Sequence, residues 1–114
     1  MLQNLTLEKR LGVSTTSLIE FCHQWHITEM ALFGSVLRDD FNLESDIDLL
    51  VSFDPTFRRG LTETIEIHSQ LQQLLGRKVD LIIRKALERS ENIPRRDRII
   101  NSAQVIYAAR SRFP

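Results

Sequence analysis

Residues 32–53 read LFGSVLRDDFNLESDIDLLVSF, and the fold turns on how this stretch is parsed. An apolar run ends at Phe33, a Gly34-Ser35 pair and a polar loop follow, and a second apolar run closes at Phe53. Short apolar runs bounded by glycine and polar clusters read as strands, here 28–33 and 46–53. The second strand contains Asp46 and Asp48, with one isoleucine between them. Strand side chains alternate between faces, so the two acids share one face while Ile47 and Leu49 take the other. Carboxylates in an apolar strand are costly unless something positive meets them, and side by side they raise each other's pKa. A hard divalent cation relieves both problems, because Mg²⁺ takes carboxylate oxygens and keeps positions open for phosphates.

Outward from this stretch the chain alternates helix and strand. The segment STTSLIEFCHQW, 14–25, opens with hydroxyl residues suited to N-capping, and Ser17 with Glu20 has capping-box spacing. Leu18, Phe21, Cys22 and Trp25 follow at i, i+3, i+4 and i+7, an amphipathic helical stripe. The pattern predicts a brief helix over 36–41, a loop over 42–45 and a turn over 57–60. A helix follows over 61–75 with Leu61, Ile65, His68, Leu71 and Leu75 on one face, and Gly76 ends it. A third strand, 77–83, again carries one acid, Asp80. Residues 86–92 read as loop, Pro94 opens a last helix, and 103–108 reads as a final strand. Alternation of this kind predicts a small sheet with helices packed on it, an α/β fold.

The bulk properties narrow the class. A chain of 114 residues with 42% hydrophobic and 26% charged residues fits one soluble globular domain, 1–114. One cysteine permits no internal disulfide, no apolar stretch is long enough to span a bilayer, and the N-terminus lacks a signal-peptide core. The expected location is therefore cytoplasmic. The net charge is zero but uneven: residues 1–57 carry three Lys/Arg against nine Asp/Glu, −6, and residues 58–114 carry twelve against six, +6. Two readings stay open, a mixed solvated surface or a basic half that meets an acidic partner or polyanion. Without an aromatic-interleaved basic stretch, nucleic acid is not favoured as an obligate ligand.

The candidate site gathers around the acids. A strand holding Asp80 beside the strand of Asp46 and Asp48 brings a third carboxylate within side-chain reach. Three carboxylates around two metal ions some 3.5–4 Å apart are suited to phosphoryl and nucleotidyl transfer. Gly34 lets backbone approach a ligand closely, and the turn through Ser35 can aim N–H groups at phosphate oxygens. Arg38 either adds charge against a phosphate or forms a surface ion pair with Asp39, Asp40 or Glu44. His23, His26 and His68 lack metal-site spacing, Cys22 and Trp25 fit the core, and Asp39 and Asp40 fit a solvated face.

Gly34-Ser35, ten residues, then Asp46-Ile47-Asp48 is similar to the GS-x10-DxD signature of the DNA polymerase β-like nucleotidyltransferase superfamily. With ALFGS, Arg38, SDIDLLV and GRKVDLI around it, the chain resembles the superfamily's smallest members over about 15–108. These are the minimal nucleotidyltransferase (MNT) proteins, found as antitoxins beside HEPN-domain toxins. The chain departs from many relatives at 36–37, where it has Val-Leu in place of Arg-Ala or similar residues. The resemblance implies a mixed sheet of about four strands with helices packed mainly on one face. It implies that Gly34 and Ser35 hold the phosphates of ATP, with Arg38 a candidate beside them, and that Asp46, Asp48 and Asp80 bind Mg²⁺, two ions, and carry catalysis. It also implies AMP transfer to a hydroxyl, a tyrosine's, of a HEPN toxin that forms a hetero-oligomer with this chain. With no helical substrate domain in 114 residues, the acceptor is expected on another chain. The alternatives are a non-catalytic antitoxin acting by occlusion, and nucleotidyl transfer to RNA or a small molecule.

Overall fold

The computed structural model describes residues 4–109. Two helices, α1 (Asn4–Leu11) and α2 (Thr15–Gln24), precede strand β1 (Ile27–Phe33). A 3₁₀ turn, Gly34–Leu37, and a loop lead to β2 (Ile47–Phe53), helix α3 (Leu61–Leu75) and β3 (Val79–Ile83). The short helix α4 (Arg84–Glu88), helix α5 (Ile93–Ser102) and β4 (Gln104–Ala108) complete the described chain.

The strands form one mixed sheet in the order β3-β2-β1-β4. β1 runs antiparallel to both β2 and β4, whereas β2 and β3 are parallel. A parallel pair needs a crossover, and α3 provides it. His68 Nε2 bonds the Val79 carbonyl at 2.6 Å, and Gln72 Oε1 accepts the Val79 N–H at 3.0 Å. Both contacts dock α3 at the start of β3.

Alternation along the strands divides the sheet into two unequal faces. Met30, Leu32, Ile47, Leu49, Val51 and Val79 face the larger cluster, which α1, α2 and α3 complete with residues such as Leu7, Leu18, Cys22, Ile67 and Leu71. The other face holds a smaller cluster in which Ala31, Phe33 and Leu50 meet Leu87 of α4 and Ile99 of α5. Trp25 packs beside the larger cluster and donates its indole N–H to Gln70 at 3.0 Å. Cys22 is fully buried, and burial pushes its thiol up to about 12, leaving it a core residue. Among the described residues no helix is long and apolar enough to cross a membrane.

Several local expectations need correction. α2 starts a turn earlier than the Ser17–Glu20 spacing implies, because Ser14 is the N-cap and accepts the Ser17 N–H. α3 spans the expected residues and ends at Gly76 in the left-handed conformation, φ 64°. Its buried face, however, is Ile67, Leu71 and Leu75, while Leu61 and Ile65 are 77% and 60% exposed. At 100° per residue Ile65 lies about 120° from Leu71, too far round to share its stripe. The expected helix over 36–41 is the tighter turn Gly34–Leu37. Part of the expected 86–92 loop belongs to α4, and α1 arises where no helix was expected. Five residues are too few to display a helical period, and burial of Leu87 anchors α4.

Candidate active site

The end of β1, the start of β2 and the start of β3 meet at one edge of the smaller face. Phe33 pairs with Asp48 across the antiparallel ladder, and Asp48 pairs with Asp80 across the parallel one. β2 begins at Ile47, so Asp46 stands one residue ahead of the strand rather than inside it, and is exposed. Asp80 is exposed as well, and Asp48 is half-buried.

Gly34 is required here for two separate reasons. Its φ is 75°, a conformation that L side chains rarely adopt. A Cβ at this position would also strike the Asp48 carboxylate, whose Cγ would lie 3.1 Å away. The glycine thus makes room for an acid of its own chain as well as for any ligand. The next residue reinforces this: the Ser35 backbone N–H bonds the Asp48 carboxylate. Val36 then anchors the turn with a fully buried side chain.

The electrostatics of Asp48 follow from this geometry. Burial raises its pKa most, followed by the charges of Asp80 and then Asp46; Arg38 and the Ser35 N–H pull in the opposite direction without prevailing. Asp48 therefore feels two neighbouring carboxylates that the Arg38 charge does not offset. Among the described residues no group of three potential ligands converges tightly enough to hold a metal ion. The donor set is all carboxylate oxygen, the chemistry a hard divalent ion takes. Arg38 is shared: its Nε meets Asp40 at 3.2 Å on the surface, and its charge still reaches Asp48.

The sequence reading assigned no role to Arg10 or Arg77, yet both reach the loop between the turn and β2. Arg10 Nη1 donates to the Val36 and Arg38 carbonyls, and Arg77 Nη1 donates to the Asn42 and Ser45 carbonyls. No local signal marks them, since their partners are 26 to 35 residues away in the chain.

Comparisons with known proteins identify the family. A protein adenylyltransferase, MntA of Thermococcus cleftensis, is 33% identical over 84 residues, covering 74% of this chain and 83% of its own length. A Methanocaldococcus jannaschii protein, provisionally named a protein adenylyltransferase, is 39% identical over 64 residues, 56% of this chain, and the match spans 64% of that relative's length. Among solved structures, one provisionally described as a minimal nucleotidyltransferase superposes with TM-score 0.64 at 26% identity, covering 90% of this chain and 95% of its own. A Shewanella oneidensis complex of a tri-AMPylated HEPN toxin with its MNT antitoxin shares the fold at TM-score 0.58 and 16% identity, covering 90% and 73%. Residues 17–106 match the nucleotidyltransferase domain family. That match spans most of the chain, and the chain belongs to the nucleotidyltransferase domain family.

Proposed function

We propose that this protein is an antitoxin that transfers AMP from ATP to a hydroxyl, a tyrosine's, of a partner HEPN toxin and so neutralises it. The observation that carries the reading is the juxtaposition of Asp48 with Asp80 and Asp46 beside a glycine turn. Relatives named as protein adenylyltransferases, and a solved complex of an AMPylated HEPN toxin with an MNT antitoxin, support the class of acceptor. A toxin–antitoxin structure with AMP-PNP, alike in fold at TM-score 0.64, supports ATP as donor.

Asp46, Asp48 and Asp80 would hold Mg²⁺, which supplies charge neutralisation for the phosphates when bound. The protein's own contribution is placement. The Gly34-Ser35 turn presents backbone to the phosphates, and Arg38 stands near Asp48 to add positive charge at their edge. The acceptor oxygen attacks the α-phosphorus in line, a new P–O bond forms, the bond to the β-phosphate breaks, and pyrophosphate leaves. The proton of the attacking hydroxyl, with an ordinary pKa near 10, passes toward Asp80, an exposed carboxylate at the site edge.

Intact-mass measurement of the partner toxin after incubation with this protein, ATP and Mg²⁺ tests the reading. The expected result is a gain of one or more AMP units that Asp80→Asn reduces on the order of 10²-fold, with ATP binding and partner binding retained. A partner that is neutralised with no change in mass, equally well by Asp80→Asn, assigns the protection to occlusion instead.

A further inference from the structure

We propose that Arg10 and Arg77 are positioning residues, a two-sided clamp on the loop that joins the Gly34-Ser35 turn to Asp46. The proposal rests on the transferase reading above and names residues outside the expected site that set its geometry. The loop 38–46 contains no regular element, so its carbonyls must find partners other than a ladder. It builds two turns of its own. The Phe41 N–H bonds the Arg38 carbonyl at 3.4 Å, and the Ser45 N–H bonds the Asn42 carbonyl at 3.1 Å. Each of those accepting carbonyls is also taken by one arginine: Arg38 O by Arg10 at 2.7 Å, and Asn42 O by Arg77 at 2.8 Å.

The second bond of each arginine reaches the end of the loop nearest the site. Arg10 Nη1 also donates to the Val36 carbonyl at 2.8 Å, one residue after Ser35, whose N–H holds Asp48. Arg77 Nη1 also donates to the Ser45 carbonyl at 2.8 Å, one residue before Asp46. A terminal guanidinium nitrogen carries two N–H groups, one for each carbonyl. Both guanidinium groups also lie over the Phe41 ring, with Cζ 5.7 Å from its centroid for Arg10 and 4.5 Å for Arg77. Phe41 thereby ties the two halves of the clamp together. Lysine could reach a carbonyl but could not combine this paired donation with a flat contact on the ring.

The halves act on different parts of the site. Arg10 steadies the turn next to Ser35, on the side proposed for phosphate; Arg77 steadies the approach to Asp46, on the carboxylate side. Arg10 lies on α1, ahead of the residues 17–106 that match the family. The N-terminal helix therefore takes part in the site as well as in the core.

Arg10→Met and Arg77→Met, each with its lysine counterpart, separate positioning from bulk stability. Arg10→Met is expected to weaken ATP binding about tenfold, while Arg77→Met raises the Mg²⁺ needed for half-maximal transfer about tenfold, with ATP affinity little changed. Both should speed amide hydrogen exchange across 38–46 more than elsewhere, and the lysine variants should recover part of each loss. The proposal is overturned if the two variants shift ATP affinity and Mg²⁺ requirement alike, in step with their melting temperatures. If the unaltered protein transfers nothing, the transferase reading falls, but exchange still decides the clamp: unchanged protection across 38–46 in both variants overturns it, and a selective loss upholds it.

Discussion

β2 has an aspartate near each end, and their surroundings push them in opposite directions. Asp48, at the start, is raised by burial and by the charges of Asp80 and Asp46. Asp54, one residue past the end, is lowered because it accepts the Thr56 N–H at 2.9 Å and the Thr56 hydroxyl at 2.8 Å. Asp54 closes a turn: its carboxylate is exposed, satisfied and stabilised as an anion. Asp48 is half-buried and set against two like charges, with one backbone N–H and the charge of Arg38 as relief. One strand thus ends in a structural acid and begins with an acid whose charge the protein leaves largely unmatched. Strain of that kind collects at functional sites.

The largest effect expected from this comparison is on transfer. Asp48→Asn keeps the shape and the acceptor for the Ser35 N–H but removes the charge. AMP transfer should fall on the order of 10³-fold, the scale of losing a preorganised electrostatic contact. Asp54→Asn, equally isosteric, should leave transfer near its original rate. A quantitative AMP-transfer assay of both variants checks the contrast, and equal losses would erase the distinction between the two ends.

A smaller effect is expected at the glycines. Gly34→Ala and Gly76→Ala both force a side chain into the left-handed region, φ 75° and 64°, at roughly 1–2 kcal/mol each. Nothing lies within 4 Å of a Cβ built at Gly76, whereas one at Gly34 meets the Asp48 carboxylate. Gly34→Ala should therefore lower the melting temperature by roughly 5 °C or more and reduce transfer beyond what lost stability explains. Gly76→Ala should lower only the melting temperature. Paired melting and transfer measurements check this.

The smallest effect is a pH signature with opposite signs. An acid whose folded pKa is raised destabilises the folded state when ionised; that cost is full above the raised value and absent below the ordinary 3.8. Without divalent cation, Asp48→Asn should melt higher than the unaltered protein at pH 7, by no more than about 3 °C, and the gain should vanish as the pH falls below 3.8. An acid whose folded pKa is lowered contributes stability above 3.8 and loses it as the pH falls through the lowered value. Asp54→Asn should therefore melt lower at pH 7, with the deficit closing on acidification. Melting curves from pH 7 down to pH 3 read both, and matching signs would break the comparison.

How much of this was legible in the sequence depended on how local the determinant was. α3 and its glycine cap were readable because 15 residues show a clear period and a left-handed glycine marks its end. The orientation of α3 was not, because Leu61 and Ile65 compete with Ile67 for the inward side and only docking on β3 chooses between them. Asp46 and Asp48 stood out by their i, i+2 spacing, although Asp46 stands ahead of β2 rather than in it, and Gly34 stood out by its place between a strand and a serine. The reason for Gly34 was only half legible, since its contact with Asp48 spans 14 residues of chain.

The sequence alone determined the α/β class, the positions of the strands to within a residue or two, and the spacing that puts glycine, serine and three acids into one signature. Those features arise from periodicity and turn chemistry, which act between near neighbours. The tertiary structure decided the rest: the register that sets Asp48 opposite Asp80, the Ser35 N–H on the Asp48 carboxylate, and the grip of Arg10 and Arg77 around Phe41. Each joins residues far apart in the chain, and such pairings are settled only when α3 crosses over, the parallel pair closes and the two clusters pack against the sheet.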